Sequence, residues 1–386
     1  MDRFDIIVIG GGMMGAPCAR HLAEAGHRVA LVAPPEPVAG GDGPWGSHFD
    51  AARITRHVAA DADWARLSAR SIARYGDLEA RSGRRIFRDV GAVMAGPRDG
   101  EMGAWTAGFA AVAREVSGAA LIDPVEAEAR IGLRLPAGSV VSLEAKGGGW
   151  IDPRAMRDAQ QALAEAAGAT LIRQPAITRS GGDVTLADGS SLSAGHVVVA
   201  TGPYAPLDGL MPARPAIRVW ARTIAFARLS ETEGARLAAM PSAIWVPEGW
   251  DHDLYMLPPV RYPDGYLYLK IGGQTDSPLI HSSEEMRYWF HGPGDATVGA
   301  RLMAEMRAVL PELDVAEEST GPCAVVWTET GYPYIERLDD RVTALCGGNG
   351  AAAKCGDELG RLGAVLATGG TLEAEGYDAD FRGVWR

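Results

Sequence analysis

Hydrophobic patterning is sharpest at the start of the chain. Ile6, Ile7, Val8 and Ile9 form an unbroken apolar run, as expected of a strand covered on both faces. A helical pattern over residues 13–25 follows, stopped by Gly26, and residues 28–32 read as a second buried strand. Trp64, Leu67, Ile72, Tyr75 and Leu78 recur at helical spacing within residues 63–81, and residues 85–94 read as two short strands. Asp123 and Pro124 open a short helix, and Asp152 caps an amphipathic one over residues 154–167 that Gly168 ends. Residues 169–172, 183–186 and 191–192 are strand-like, with an Asp188-Gly189 turn. Residues 196–200 read as another fully buried strand, which runs into Thr201-Gly202-Pro203.

The second half is β-rich over residues 218–226, 243–246, 254–257 and 266–271, with many aromatics. Residues 283–310 are mainly helical, and residues 323–328 and 341–346 return to strand. A glycine-rich turn, Gly347 to Ala351, then leads into a helix over residues 353–366, followed by a short disordered tail. No internal repeat is visible.

Between the first strand and first helix lies Gly10-Gly11-Gly12-Met13-Met14-Gly15, a G-x-G-x-x-G pattern in its proper strand–turn–helix–strand context. Gly10 makes the tight turn, Gly12 admits a pyrophosphate to the backbone, and Gly15 allows helix and strand to pack closely. Free N–H groups and the positive helix end then hold phosphates. An ordinary glycine-rich turn is the weaker reading, so the chain is expected to bind a dinucleotide. One position departs from the pattern. The acid expected at the end of the second strand, for the adenosine ribose, is Ala33. Glu36 or Asp42 from the next loop, or water, would have to substitute.

Composition narrows the class. The 386 residues exceed one typical domain, and 47% hydrophobic with 22% charged residues is globular composition. A net charge of −12 argues against nucleic acid and against anionic membrane surfaces as partners. No apolar stretch is long enough to span a membrane, and Met1 to Asp5 carries no leader pattern. The four cysteines, Cys18, Cys323, Cys346 and Cys355, show neither a C-x-x-C pair nor zinc spacing. The expectation is a cytoplasmic protein with free thiols and no metal, monomeric or a small homo-oligomer.

Read together, these segments resemble the D-amino acid oxidase superfamily of flavoproteins, in its sarcosine oxidase and N-methyltryptophan oxidase branch. Gly46-Ser47-His48 through Arg53-Ile54-Thr55-Arg56 is similar to that branch's G-S-H-x-x-x-x-R-I-x-R segment beside the flavin. Residues 197–203 and 347–356 are similar to its later flavin-contact segments. The resemblance implies an α/β fold: a Rossmann-like FAD-binding domain interleaved with an α+β substrate domain containing an antiparallel sheet. The expected boundaries are 1–85, 145–212 and 320–370 for the first, 86–144 and 213–319 for the second, and 371–386 for a tail.

The resemblance implies FAD as cofactor, with contacts at Gly10, Gly12, Met14, Gly15, Ser47, His48, Arg53, Thr201, Gly202, Gly348, Asn349, Gly350 and Lys354. It also implies attachment of the flavin through the Cys323 thiol, the plain alternative being a buried cysteine. Lys270 corresponds to a lysine that promotes reaction with oxygen; alone it reads as a solvated lysine on a strand edge. Arg56 and Lys354 correspond to the pair that grips a substrate carboxylate, and Tyr255 to a pocket tyrosine. An Arg fork suits a carboxylate because it donates two parallel hydrogen bonds. The implied activity is oxidation of a secondary amine or N-methyl amino acid to an imine, with oxygen giving hydrogen peroxide. The alternative is a flavin-binding dehydrogenase or subunit that passes electrons to a protein partner.

Phe49, Ala52, Gln274 and Val325 depart from the branch's pattern, which makes sarcosine itself a doubtful substrate. Trp245, Trp250 and Trp327 suggest a larger apolar substrate, unless they belong to the core.

Overall fold

The computed structural model describes residues 3–38, 41–273 and 277–386. Its first layer is organised by the opening strand, Arg3–Ile9. Ile6 and Val8 face helices, packing with Cys18, Leu22, Leu67, Leu359 and Leu362, whereas Ile7 and Ile9 face a β layer containing Val184, Leu186, Val219 and Tyr334. Both faces are therefore dry, which explains the unbroken apolar run. Parallel strands lie in the order Thr170–Ile172, Val29–Val32, Arg3–Ile9, Ser191–Val199, Val342–Cys346. Tyr334–Asp339 pairs antiparallel beyond the last of these, and the hairpin Ala176–Ser180/Asp183–Leu186 leads into Ser191–Val199.

The carboxyl ends of these strands deliver Gly10, Ala33, Thr201 and Gly347 to one edge of the sheet, where open α/β sheets bind ligands. Gly10 has φ +107°, and a Cβ there would lie 2.3 Å from the Ala200 carbonyl oxygen. A Cβ on Gly15 would lie 1.8 Å from the Gly10 carbonyl oxygen. Only glycine satisfies either position.

A second sheet is mostly antiparallel: Glu317–Thr328, Ile217–Leu229, Leu267–Gly273, Leu254–Arg261, Ser242–Trp245, Ala92–Gly96, Val140–Glu144 and Ala119–Ile122, with one parallel pair at its centre. Its longest ribbon, Ile217–Leu229 against Glu317–Thr328, bridges two cores. Val219, Ala221 and Val326 lie in the core under the parallel sheet, while Ala225, Ala227 and Leu229 lie in the core of the second sheet. A small sheet, Arg53–Thr55, Gly149–Ile151 and Phe87–Asp89, joins the segments in between.

Buried charges fix the helix Gly356–Ala367, which follows the second glycine-rich turn. Asp357 accepts from Arg20, Gln160 and Arg74, and Glu358 from Arg74, Arg361 and Tyr377. Burial pushes the Glu358 carboxyl up, but these donors overcome it and hold the group down to about 2. Removing one partner of such a buried pair is far costlier than removing both, so the network locks this helix to those at Gly15–Glu24, Ala62–Ser82 and Pro153–Ala166.

Most patterned segments form as expected, with Asp123 and Asp152 capping their helices. The helix Gly103–Glu115 escapes the pattern because glycines and alanines blur its apolar stripe. The mainly helical stretch expected over residues 283–310 forms as two helices, Ser283–His291 and Ala296–Val309. The last residues are not loose: Phe381 is buried, and Trp385 bridges to Pro215. No helix among the described residues is long and apolar enough to cross a membrane.

Candidate active site

At the phosphate end, a Cβ on Gly12 would meet only the His48 Nδ1, at 3.7 Å. This glycine, unlike its two neighbours in the motif, faces open space. Nδ1 of His48 is buried there with no protein partner. Burial, with Arg157, Arg154 and Arg53 nearby, pulls the His48 imidazole down to about 3, so it is neutral. Ala33 is buried, and a Cβ on Gly11 would lie 2.4 Å from its methyl group, so Gly11 must lack a side chain where the second strand ends. Glu36 carries the nearby acid, paired with Arg154 at 2.7 Å and Arg157 at 3.2 Å. Asp42 instead faces His291, at 3.5 Å.

The roof is the face of the second sheet that carries Lys270. Far from a strand edge, Leu267–Gly273 is flanked on both sides, and Lys270 is 1% exposed. Its Nζ donates to Asp50 Oδ2 at 2.5 Å and to the Ala52 carbonyl at 2.8 Å. Asp50 also accepts from Arg53, from Tyr262 Oη at 2.8 Å and from its neighbour's N–H. Tyr255 stands beside this group, its ring centroid 5.8 Å from Nζ. Burial draws the Lys270 ammonium down to about 8 although Asp50 opposes the shift. Asp50 itself was hidden in the motif as an unspecified position; its spacing three residues before Arg53 was the available signal.

Arg56 lies at the next corner. Its Nε and Nη1 are buried and unpartnered. Glu144 anchors the chain just after it, accepting from the N–H groups of His57 and Val58 and from the His57 ring. Lys354 is brought close to Arg56, but its ammonium donates to Ser68 Oγ at 2.7 Å and lies 5.2 Å from the Trp64 ring. Burial lowers it, and Arg56 adds to the effect. Asp253, a half-buried carboxyl within electrostatic reach of Arg56, carried no motif signal.

Cys323 lies on the outer strand of the roof, opposite Arg222 and within electrostatic reach of Arg53 and Lys270. Its carbonyl accepts from Trp289 Nε1 at 2.8 Å. Val325 and Trp327 follow on the same face. The Trp327 Nε1 is buried without a partner, and its ring lies 3.7 Å from where a Gly350 Cβ would be. Trp245, in contrast, is fully buried in the second core, and Trp250 stacks under Arg301. Asn349, at φ 48°, uses its side chain to tie the turn to Thr328 and Gly347, leaving only backbone for a ligand. Ser47 is exposed and accepts from Arg53 through its carbonyl. Gln274 lies outside the described residues.

One compositional fact sharpens the picture. The chain has only three lysines, among 37 lysines and arginines, and two of them, Lys270 and Lys354, are buried here. Arginine serves nearly everywhere else, so these positions hold the cation whose proton can be tuned by burial. An open glycine cradle, unpartnered buried donors and a ring of cations inside an acidic protein fit an anionic dinucleotide such as FAD.

The FAD dependent oxidoreductase family model, DAO, matches residues 5–366. A monomeric sarcosine oxidase of Streptomyces avermitilis is 31% identical over 216 residues, covering 53% of each chain. The match thus spans about half that relative's length. The open form of NikD, an unusual amino acid oxidase essential for nikkomycin biosynthesis, is similar with a TM-score of 0.75 and 25% identity, over 100% of this chain and 98% of that one. Iminodiacetate oxidase from Chelativorans sp. BNC1 shares the fold, with a TM-score of 0.70 and 18% identity over 96% of this chain and 98% of that one.

The glycine geometry separates folding from binding. Gly12→Ala should unfold within about 1 kcal/mol of the parent, the usual range for a tolerated substitution, yet purify with little FAD. Gly15→Ala should lose the fold itself. Thermal melts and the flavin absorbance of the purified proteins check both; full FAD content in Gly12→Ala would refute the cradle.

Proposed function

The chain belongs to the DAO family of FAD dependent oxidoreductases, and we propose that it oxidises the C–N bond of a carboxylate-bearing secondary amine or N-methyl amino acid. The product is an imine that water hydrolyses, and oxygen is the acceptor, giving hydrogen peroxide. FAD is the cofactor, and bound FAD supplies a two-electron acceptor that oxygen can regenerate.

The observation that carries the substrate class is Arg56, with two buried donors and no protein acceptor. A substrate carboxylate supplies an acceptor that this guanidinium lacks, and the buried Lys354 ammonium adds charge once it turns from Ser68. Gripped there, the amine is oriented under the roof with water excluded, which is where positioning lowers a barrier most. Tyr255 and Trp327 bound the space, and Trp327 favours a substrate with an apolar group. Arg53, His48, Thr201 and the two glycine-rich turns hold the cofactor. Lys270 offers a fixed cation where oxygen gains negative charge, the kind of preorganised charge that stabilises a transition state in a dry site. We read Cys323, opposite Arg222 on the outer strand of the roof, as the point where the flavin is attached covalently.

Three outcomes are expected. Arg56→Gln should raise KM for an N-methyl amino acid at least about 30-fold, since losing one partner of a desolvated charge pair costs about 2–5 kcal/mol. Equal turnover of an amine lacking the carboxylate would contradict the assignment. Lys270→Met should leave anaerobic flavin bleaching nearly intact and slow reoxidation by about 100-fold or more, the scale of one lost electrostatic donor; stopped-flow absorbance separates the two half-reactions. Acid precipitation should give a yellow pellet from the parent and a colourless one from Cys323→Ala, whereas free FAD in the parent's supernatant excludes the covalent link.

A further inference from the structure

We propose that Asp50 is a positioning residue for the oxygen step: its carboxylate fixes the Lys270 ammonium in place and keeps it cationic at the pH of catalysis. This rests on the oxygen-promoting reading of Lys270 given above. The geometry is that of a counter-ion serving two cations. Oδ2 of Asp50 takes Lys270 Nζ at 2.5 Å, the same carboxylate takes Arg53, and Oδ1 takes Tyr262 Oη and the Ala51 N–H. The Ala52 carbonyl takes a second Nζ proton, at 2.8 Å. Asp50 and Ala52 belong to the segment from the nucleotide-binding side, whereas Lys270 belongs to the roof. The pair therefore sets where the ammonium stands relative to the cofactor's cradle.

Charge demands the same partner. Among the described residues, the charged and titratable groups facing Lys270 are Asp50 and Arg53 from the motif segment, Tyr255 and Tyr262 from the neighbouring strand and the loop after it, and Cys323 from the outer strand. Burial and Arg53 both disfavour the ammonium, and Asp50 is the strongest influence that favours it. A buried lysine without its anion neutralises. The sign follows directly. Lys270 is charged below its folded value of about 8 and loses its proton as pH rises through it. Removing Asp50 moves that loss to lower pH, into the working range.

The scarcity of lysine makes this directly measurable on the apoprotein. With lysine carrying carbon-13 at Cε, the spectrum contains three lysine signals, and Lys270→Met assigns one of them. In the parent the Lys270 signal should titrate near pH 8, and in Asp50→Asn at least about one unit lower, a tenfold change in proton affinity. Asp50→Glu, which keeps the anion, should titrate nearer the parent. In the FAD-loaded enzyme, the rate of reoxidation by oxygen should fall with rising pH along the same limb, and Asp50→Asn should shift that limb by the same amount. An Asp50→Asn titration matching the parent overturns the proposal. If Asp50→Asn does not fold, Lys270→Met/Asp50→Asn decides: the double variant should be more stable than the single one, because the unbalanced cation is gone, and equal instability overturns the proposal. If instead Lys270→Met leaves reoxidation unchanged, the oxygen reading fails while the titrations still report the pair.

Discussion

A cation taken out of water needs an anion, and this molecule brings several cations to one interior space. The contact on which that arrangement turns is the Asp50 carboxylate between Lys270 and Arg53. It is the point where the segment leaving the nucleotide-binding sheet meets the roof. Without it, the Lys270 ammonium and the Arg53 guanidinium, which come from different parts of the chain, would repel. With it, the roof sits at a fixed height, and a carboxylate of the protein offsets positive charge that would otherwise be neutralised by deprotonation. Arg56 and Lys354 are treated differently. Arg56 has no full partner of its own, and Lys354 leans on a serine and an indole. That imbalance suits a substrate that brings its own negative charge, as structural cations are paired while binding cations are left waiting.

Much of the nucleotide-binding layer is legible in the sequence because its constraints are local. Ile6 to Ile9 had to be apolar on both faces, and Gly10 and Gly15 had to lack a side chain, for reasons that a short stretch of chain contains. The capped helices follow the same logic. The roof is harder to read. Lys270 and Cys323 lie on separate strands of it, and nothing within either strand tells a buried lysine from an exposed one. Only the pairing with Ile217–Leu229 and Leu254–Arg261 makes that strand central and Lys270 buried.

The site was legible to the same degree. Resemblance supplied Arg56, Lys270 and Cys323, and the fold brings Lys270 and Cys323 within electrostatic reach of each other. The groups that it did not supply are the supporting ones: Asp50, Glu144, and the Glu36 pair with Arg154 and Arg157. Each acts across a long stretch of chain, such as the 220 residues between Asp50 and Lys270. Ala33 is instructive in the other direction. Read alone it is a missing ribose acid; in the fold its methyl group packs close to Gly11, and the nearby acid, Glu36, is paired with Arg154 and Arg157.

The account stands or falls on the electrons' destination. Purified yellow protein given an N-methyl amino acid in air should release one hydrogen peroxide for each amine oxidised, with no added acceptor. Flavin that bleaches with the amine but stays reduced in air, and regains its colour only when a protein or dye acceptor is added, would contradict the account: the buried lysine would then not serve oxygen.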